Sequence, residues 1–103
     1  MPSKGFLYIA SVQNRFVKIG VTDNYIKRLD NLRSLYDHPV EMSAIWFFKD
    51  DAIAPAIEAE VKAALYSRAC LPSTEVFLTT YPDIIRKVGS IIDRDALDFV
   101  RIL

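Results

Sequence analysis

One cysteine, one histidine and three glycines are few for a chain of 103 residues. Cys70 has no second thiol to pair with, so an internal disulfide framework and a cysteine-rich zinc site are both excluded. No glycine-rich stretch is organised to cradle a phosphate, and no nucleophile–base motif accompanies Cys70. His38 precedes Pro39 in a turn-forming stretch and reads as a solvated loop residue. A small-molecule enzyme built on any of these devices therefore has no support. No apolar run approaches the roughly 20 residues of a membrane span, so no membrane partner is expected. Met1-Pro2-Ser3-Lys4-Gly5 lacks the basic-then-apolar order of a signal segment, which makes an intracellular location the expectation.

An excess of either charge is also missing. Thirteen Lys and Arg balance thirteen Asp and Glu. A tightly nucleic-acid-binding domain usually carries a basic surplus, so stand-alone binding should be weak. The charges are unevenly spread, however. Residues 1–40 carry six Lys or Arg against three Asp, and residues 41–63 carry five acids against two Lys.

What the chain does have is apolar residues, at 51%, beside 25% charged ones. That is an ordinary mixture for one globular domain, here residues 1–103, long enough to bury a core. Gly5 to Val12 and Phe16 to Val21 are rich in β-formers and read as two strands joined by a turn at Gln13-Asn14-Arg15. A three-residue connection sets Val12 opposite Phe16 and Tyr8 opposite Gly20. Tyr8, Lys18 and Gly20 then share one face, because side chains alternate with period two. Gly20 would leave an open floor opposite Tyr8.

Thr22 or Asp23 can cap a first helix, with Tyr25, Leu29, Leu32 and Tyr36 as its apolar stripe and Arg28 on the flank. The residue before Pro39 disfavours helix and ends it. Val40 to Phe48 reads as a third strand, with Trp46, Phe47 and Phe48 as core rather than a base-stacking platform. A second helix runs from Ala52 to about Arg68, with Pro55 in its first turn and Ile53, Ile57, Val61, Ala64 and Leu65 inward. Cys70 to Thr74 reads as a loop and Glu75 to Leu78 as a short extended segment. Pro82 opens a third helix with Ile84, Ile85, Val88, Ile91 and Ile92 inward, and a last short helix capped by Asp93 or Asp95 runs to Leu103. The expected fold is α/β of the α+β kind: a small three-stranded, mainly antiparallel sheet flanked by helices. The apolar helices of residues 82–103 are the expected contact for a homodimer.

Phe6-Leu7-Tyr8 in one strand, Lys18-Ile19-Gly20 in the next, and Arg28 eight residues later resemble the motif of the GIY-YIG nuclease superfamily. The resemblance spans about residues 5–78. It is strongest to the phage and bacterial branch with a KIG second motif and a later Glu-x-Phe segment, here Glu75-Val76-Phe77. For a phage-encoded chain the location would be the host cell. The stretch from Ala54 to Val61 resembles that branch's helix and aligns Glu58 with its metal-binding glutamate. The chain departs from the pattern at Lys18, where a second tyrosine is expected, and at Leu32, where many members carry histidine.

The resemblance implies a metal-dependent endonuclease that hydrolyses phosphodiester bonds, most often in DNA. Tyr8, Lys18, Arg28 and Glu58 would be catalytic, and Gly20, Asn24 and Lys27 would bind substrate. Tyr8 would position or deprotonate the attacking water; a phenol ionises only near pH 10 unless a cation lies close, and Lys18 could supply one. Arg28 would fork onto the scissile phosphate. Glu58 would hold one Mg²⁺ or Mn²⁺. Glu58 also stands four residues before Lys62, a favourable helical ion pair in its own right. Glu60 points about 160° away from Glu58 on the helix. The alternative implied is an inactive relative that binds nucleic acid or protein.

Overall fold

The computed structural model describes residues 5–12, 16–36, 39–65, 69–71, 76–77 and 81–103, without the side chains of 69–71, 76–77 and 81. The expectations for Gln13-Asn14-Arg15, His38, Glu75 and the Cys70 side chain lie outside the described residues. Strands β1 (Phe6–Val12) and β2 (Phe16–Thr22) form an antiparallel hairpin. Val12 faces Phe16 and Tyr8 faces Gly20, the register that the length of the connection dictates.

Helix α1 (Tyr25–Leu35) follows. Its cap is Asn24 rather than Thr22 or Asp23: the Asn24 side chain accepts the Lys27 backbone N–H at 3.1 Å. Thr22 supports the cap one step back, because its hydroxyl accepts the Asn24 N–H at 3.1 Å. The stripe of α1 closes over one face of the sheet, where Leu32 is buried with Tyr8, Ala10, Val12, Val40 and Ile45. Phe6 meets the Tyr25 ring edge-on at 5.2 Å and the Phe47 ring at 4.9 Å.

Strand β3 (Val40–Phe47) pairs antiparallel with β1. A bulge at Ser43 shifts the register between Ile9 and Ala10, and the Ser43 hydroxyl is bonded to that of Ser11 at 2.6 Å. Helix α2 (Ile53–Leu65) starts where the Asp50 side chain accepts the Ala52 N–H at 2.9 Å. Ala54, Ile57 and Val61 are its buried residues; Ala64, expected inward, is exposed. Helix α3 (Tyr81–Arg94) buries Ile84, Val88, Ile91 and Ile92 beside α2. Together these helices cover the second face of the sheet, over Leu7, Ile9, Val17, Ile19, Ala44, Trp46 and Phe48. The aromatic run of β3 is core at Trp46 and, just beyond it, Phe48, with Phe47 half-buried.

The class is the expected α+β, but the sheet is wider than three strands. Among the described residues, strands β4 (Ala69–Leu71), β5 (Val76–Phe77) and β6 (Val100–Arg101) complete a six-stranded sheet of order β4-β5-β2-β1-β3-β6, antiparallel at every pair. The loop expected from Cys70 thus begins as strand. The final helix expected before Leu103 is absent. Ala96 adopts φ 51°, and the Leu97 N–H reaches back to the Ile92 carbonyl at 3.0 Å. That left-handed residue closes α3 in the manner of a Schellman end and turns the chain out of the helix. Leu97 packs on the core and the tail pairs with β3, its last backbone bonds running between Ile45, Ile102 and Leu103. The apolar side of α3, on which the homodimer expectation rested, is buried within the chain; exposed apolar residues lie instead in the tail at Phe99, Val100, Ile102 and Leu103. Among the described residues, no helix is long and apolar enough to cross a membrane.

Arg94 ties the end of α3 to α2. It donates to both carboxylate oxygens of Glu60, at 3.0 and 2.9 Å, and to both of Asp95, at 2.9 Å each. Those hydrogen bonds, backed by the guanidinium charge, hold the Glu60 and Asp95 carboxyls below their ordinary range. A carboxyl depressed on folding stabilises above its unfolded value, about 4, and loses that contribution as pH falls through the folded one. The melting-temperature gap between the parent and Arg94→Ala should therefore be widest near neutrality and close toward about pH 2. A gap that stays constant across that range would assign the effect of Arg94 to packing of its stem.

Candidate functional site

One cavity of about 300 Å³ lies at the margin of β2 and is lined by Tyr8, Lys18, Gly20, Val21, Arg28, Pro55 and Glu58. Four elements contribute, β1, β2, α1 and α2. Tyr8, Lys18 and Gly20 belong to the sheet face covered by α1. Glu58 comes from α2, whose stripe packs under the opposite face. The two meet at the cavity, where α2 packs against β2. The described pairing of β5 to β2 is at Val17 and Lys18. Glu58 follows the buried Ile57, so it stands on the flank of the stripe, with Pro55 one helical turn before it.

Gly20 is the reason Tyr8 can lie there. A methyl group at Gly20 would overlap the hydroxyl and ring of Tyr8. The space expected to be an open floor is thus filled by the phenol, which crosses its strand neighbour and arrives at the cavity almost wholly buried, 1% exposed. The glycine makes room for the tyrosine and itself lines the cavity.

Lys18 pairs with Ala10 in the hairpin and is buried as well, 9% exposed. Arg28 stands in the first turn of α1, where its own N–H closes onto the Asn24 carbonyl at 3.0 Å. Asn24 and Lys27, expected to touch substrate, do not line the cavity. Asn24 spends its side chain on the helix cap, and Lys27 is exposed on α1. Leu32, at the position where histidine was expected, is buried in the core under α1. Glu60 points away as expected and pairs with Arg94. Val21 and Pro55 were missed by the sequence reading. Their signals are plain in retrospect: one is the neighbour of Gly20, and the other stands three residues before Glu58 on the same helix.

Among the described residues that line this cavity, Lys18, Arg28, Glu58 and Tyr8 carry the charged and polar side chains. Glu58 is itself engaged: its Oε1 accepts from the Lys62 ammonium at 2.9 Å, and both side chains are mostly covered. With that carboxylate paired to Lys62, the Arg28 guanidinium beside Lys18 favours an anion there. Among the described residues, no three His, Cys, Asp or Glu side chains gather into a metal cage. A single carboxylate next to a place for an oxyanion fits a Mg²⁺ or Mn²⁺ ion completed by waters and phosphate oxygens, the usual manner of these ions with substrate phosphates.

The comparisons with known proteins give a family. The model of the T5orf172 domain matches residues 5–94. No curated protein and no solved structure matches. This family is distinct from the GIY-YIG superfamily that the Tyr8, Gly20 and Arg28 spacing resembles, so the match overturns that assignment. T5orf172 domains are nuclease-like, DNA-binding domains, which is consistent with interaction with nucleic acid as the broad function.

The Tyr8–Gly20 contact gives a test of the cavity's construction. Gly20→Ala should destabilise by roughly 1–3 kcal/mol, as overpacking does. In a Tyr8→Ala background most of that penalty should vanish, because the two residues are in contact and couple. Urea unfolding of the four proteins measures the coupling; additive effects would mean that the ring does not rest on Gly20.

Proposed function

The chain belongs to the T5orf172 domain family, and on that premise we propose that the cavity binds one backbone phosphate of a nucleic acid, DNA in the first instance, and hydrolyses its phosphodiester bond. The single observation that carries this reading is the composition of the cavity: Lys18 and Arg28 beside Tyr8 and Glu58. An arginine and a lysine together suit a tetrahedral oxyanion. Arg28 offers a planar pair of donors and Lys18 a compact charge. A bidentate guanidinium stabilises the charge that builds on the phosphoryl oxygens as the new bond forms. The Tyr8 hydroxyl, which both donates and accepts, orients the attacking water and takes part in moving its proton. Burial keeps that hydroxyl in one place, so little reorganisation accompanies the reaction.

Glu58 would hold one Mg²⁺ or Mn²⁺ beside the phosphate. Such an ion supplies Lewis-acid stabilisation of phosphoryl oxygen charge when bound. Lys18 stands where the sequence comparison led to the expectation of tyrosine. In this cavity it adds a second positive charge beside Arg28, which strengthens the hold on the phosphate. A second reading keeps the binding and drops the cleavage. The Glu58–Lys62 ion pair favours it, since a carboxylate already neutralised by an ammonium needs no metal.

Cleavage of single- and double-stranded DNA and RNA oligonucleotides with Mg²⁺ or Mn²⁺ separates the two. Arg28→Lys and Glu58→Gln should each lower the rate of the chemical step by about 10²–10³, the usual effect of removing an electrostatic transition-state contact. Their melting temperatures should stay close to the parent's, because neither residue is in the apolar core. Lys18→Tyr should weaken oligonucleotide affinity at low salt. Affinity itself should be modest and should fall with salt, with a log–log slope of about −0.9 for each phosphate neutralised. Absence of cleavage of every substrate, with binding retained and sensitive to Arg28, would leave the binding module in place of the nuclease.

A further inference from the structure

Resting on the metal role proposed for Glu58, we infer that Lys62 is the resident counter-ion of the metal site: it holds Glu58 until phosphate and metal arrive together. The observation is the contact itself. The Lys62 ammonium lies 2.9 Å from Glu58 Oε1, and the two side chains are only 21% and 23% exposed. Lys62 is not among the residues that line the cavity. It approaches Glu58 from one turn further along α2, while Glu58 itself lines the cavity.

A divalent ion that enters the empty cavity must compete with this ammonium for Glu58. It also meets Lys18 and Arg28, so like charge opposes it a second time. A phosphate reverses both terms. Its negative charge offsets the repulsion that Lys18 and Arg28 exert on the ion, and its oxygens complete the ion's coordination beside Glu58. The two ligands are thereby coupled, and coupling is reciprocal: phosphate raises metal affinity by the factor by which metal raises phosphate affinity. Lys62 sets the threshold. It keeps the site poorly loaded with metal while no nucleic acid is bound, and it keeps the carboxylate from repelling the incoming phosphate.

Mn²⁺ binding, read from the free-ion signal in electron paramagnetic resonance, tests this without reference to cleavage. The parent, Lys62→Met, Lys62→Arg and Glu58→Gln are titrated with and without a short DNA oligonucleotide. Methionine preserves the packed stem and removes the charge. Lys49→Met, which removes a charge from the loop before α2 and away from this cavity, controls for the general loss of positive charge. Lys62→Met should tighten Mn²⁺ binding in the absence of DNA by about fivefold, the equilibrium equivalent of a half-buried ion pair. Lys62→Arg and Lys49→Met should stay near the parent, and Glu58→Gln should abolish the site. DNA should tighten Mn²⁺ binding more in the parent than in Lys62→Met. Unchanged or weaker Mn²⁺ binding in Lys62→Met would overturn the inference, as would a site indifferent to Glu58→Gln. Glu58-dependent Mn²⁺ binding with the expected Lys62 response, in a protein that cuts no substrate, would uphold the inference while sinking the nuclease reading.

Discussion

The constraint on which the site depends is the register of the first hairpin. Tyr8 lies across Gly20 only because Val12 is set opposite Phe16. A shift of one residue would move Tyr8 and Lys18 relative to each other, carry one of them to the other face, and put a side chain where the phenol now rests. Everything else is arranged around that pairing. Asn24 starts α1 so that Arg28 falls in its first turn, and α2 passes the margin of β2 so that Glu58 turns into the space between. The apolar cores on the two sheet faces hold the platform, and of their buried members only Tyr8, in the core under α1, also lines the cavity.

A second feature is the contrast between the whole chain and the cavity. The chain has no net charge, yet the cavity joins Lys18 and Arg28 while Lys62 pairs with Glu58, the carboxylate among the described residues that line it. Cancellation over the surface suppresses non-specific attraction along a nucleic acid. The local imbalance survives because burial keeps solvent and salt from screening it as they screen an exposed pair. Net charge alone is therefore a poor guide to what this cavity attracts.

Legibility in the sequence followed the strength of the physical signal. The hairpin register was readable because the period of two allows one parity for a three-residue connection. The helices were readable from stripes such as Tyr25, Leu29, Leu32 and Tyr36, and Arg28 and Glu58 from standing off those stripes. Of the short strands, β5 falls within the extended segment expected at Glu75 to Leu78, while β4 and β6 were not read. Two residues in β6 are too few to show a period, and the pairing of such short strands is decided by where the rest of the sheet presents a free edge. The end of α3 failed for another reason. Ala96 adopts a left-handed conformation that its type disfavours, and only the packing of Leu97 and the pairing of the tail with β3 impose it. Gly20 was read correctly as special and incorrectly as empty, since period-two reasoning gives the facing residue but not the direction in which a ring lies down. The family assignment failed because three motif residues describe a local geometry that more than one family can share.

These points bear on how a neutral domain could act on a polyanion. Interactions made equally with substrate and transition state lower the substrate concentration needed and leave the chemical step unchanged. A long basic groove would be of that kind. On the proposed reading this chain concentrates its positive charge at the one phosphate that reacts, where Arg28 and Lys18 meet charge that increases during the reaction. Weak overall binding is then the expected companion of such an arrangement rather than evidence against it. The same logic explains why Glu58 is paired in the resting protein. A bare carboxylate in that cavity would repel the phosphate on arrival, and a permanently bound divalent ion would attract anions of every kind. On the proposed reading Lys62 would avoid both, since it pairs with the acid at rest and would yield when an oxyanion and a metal ion arrive together.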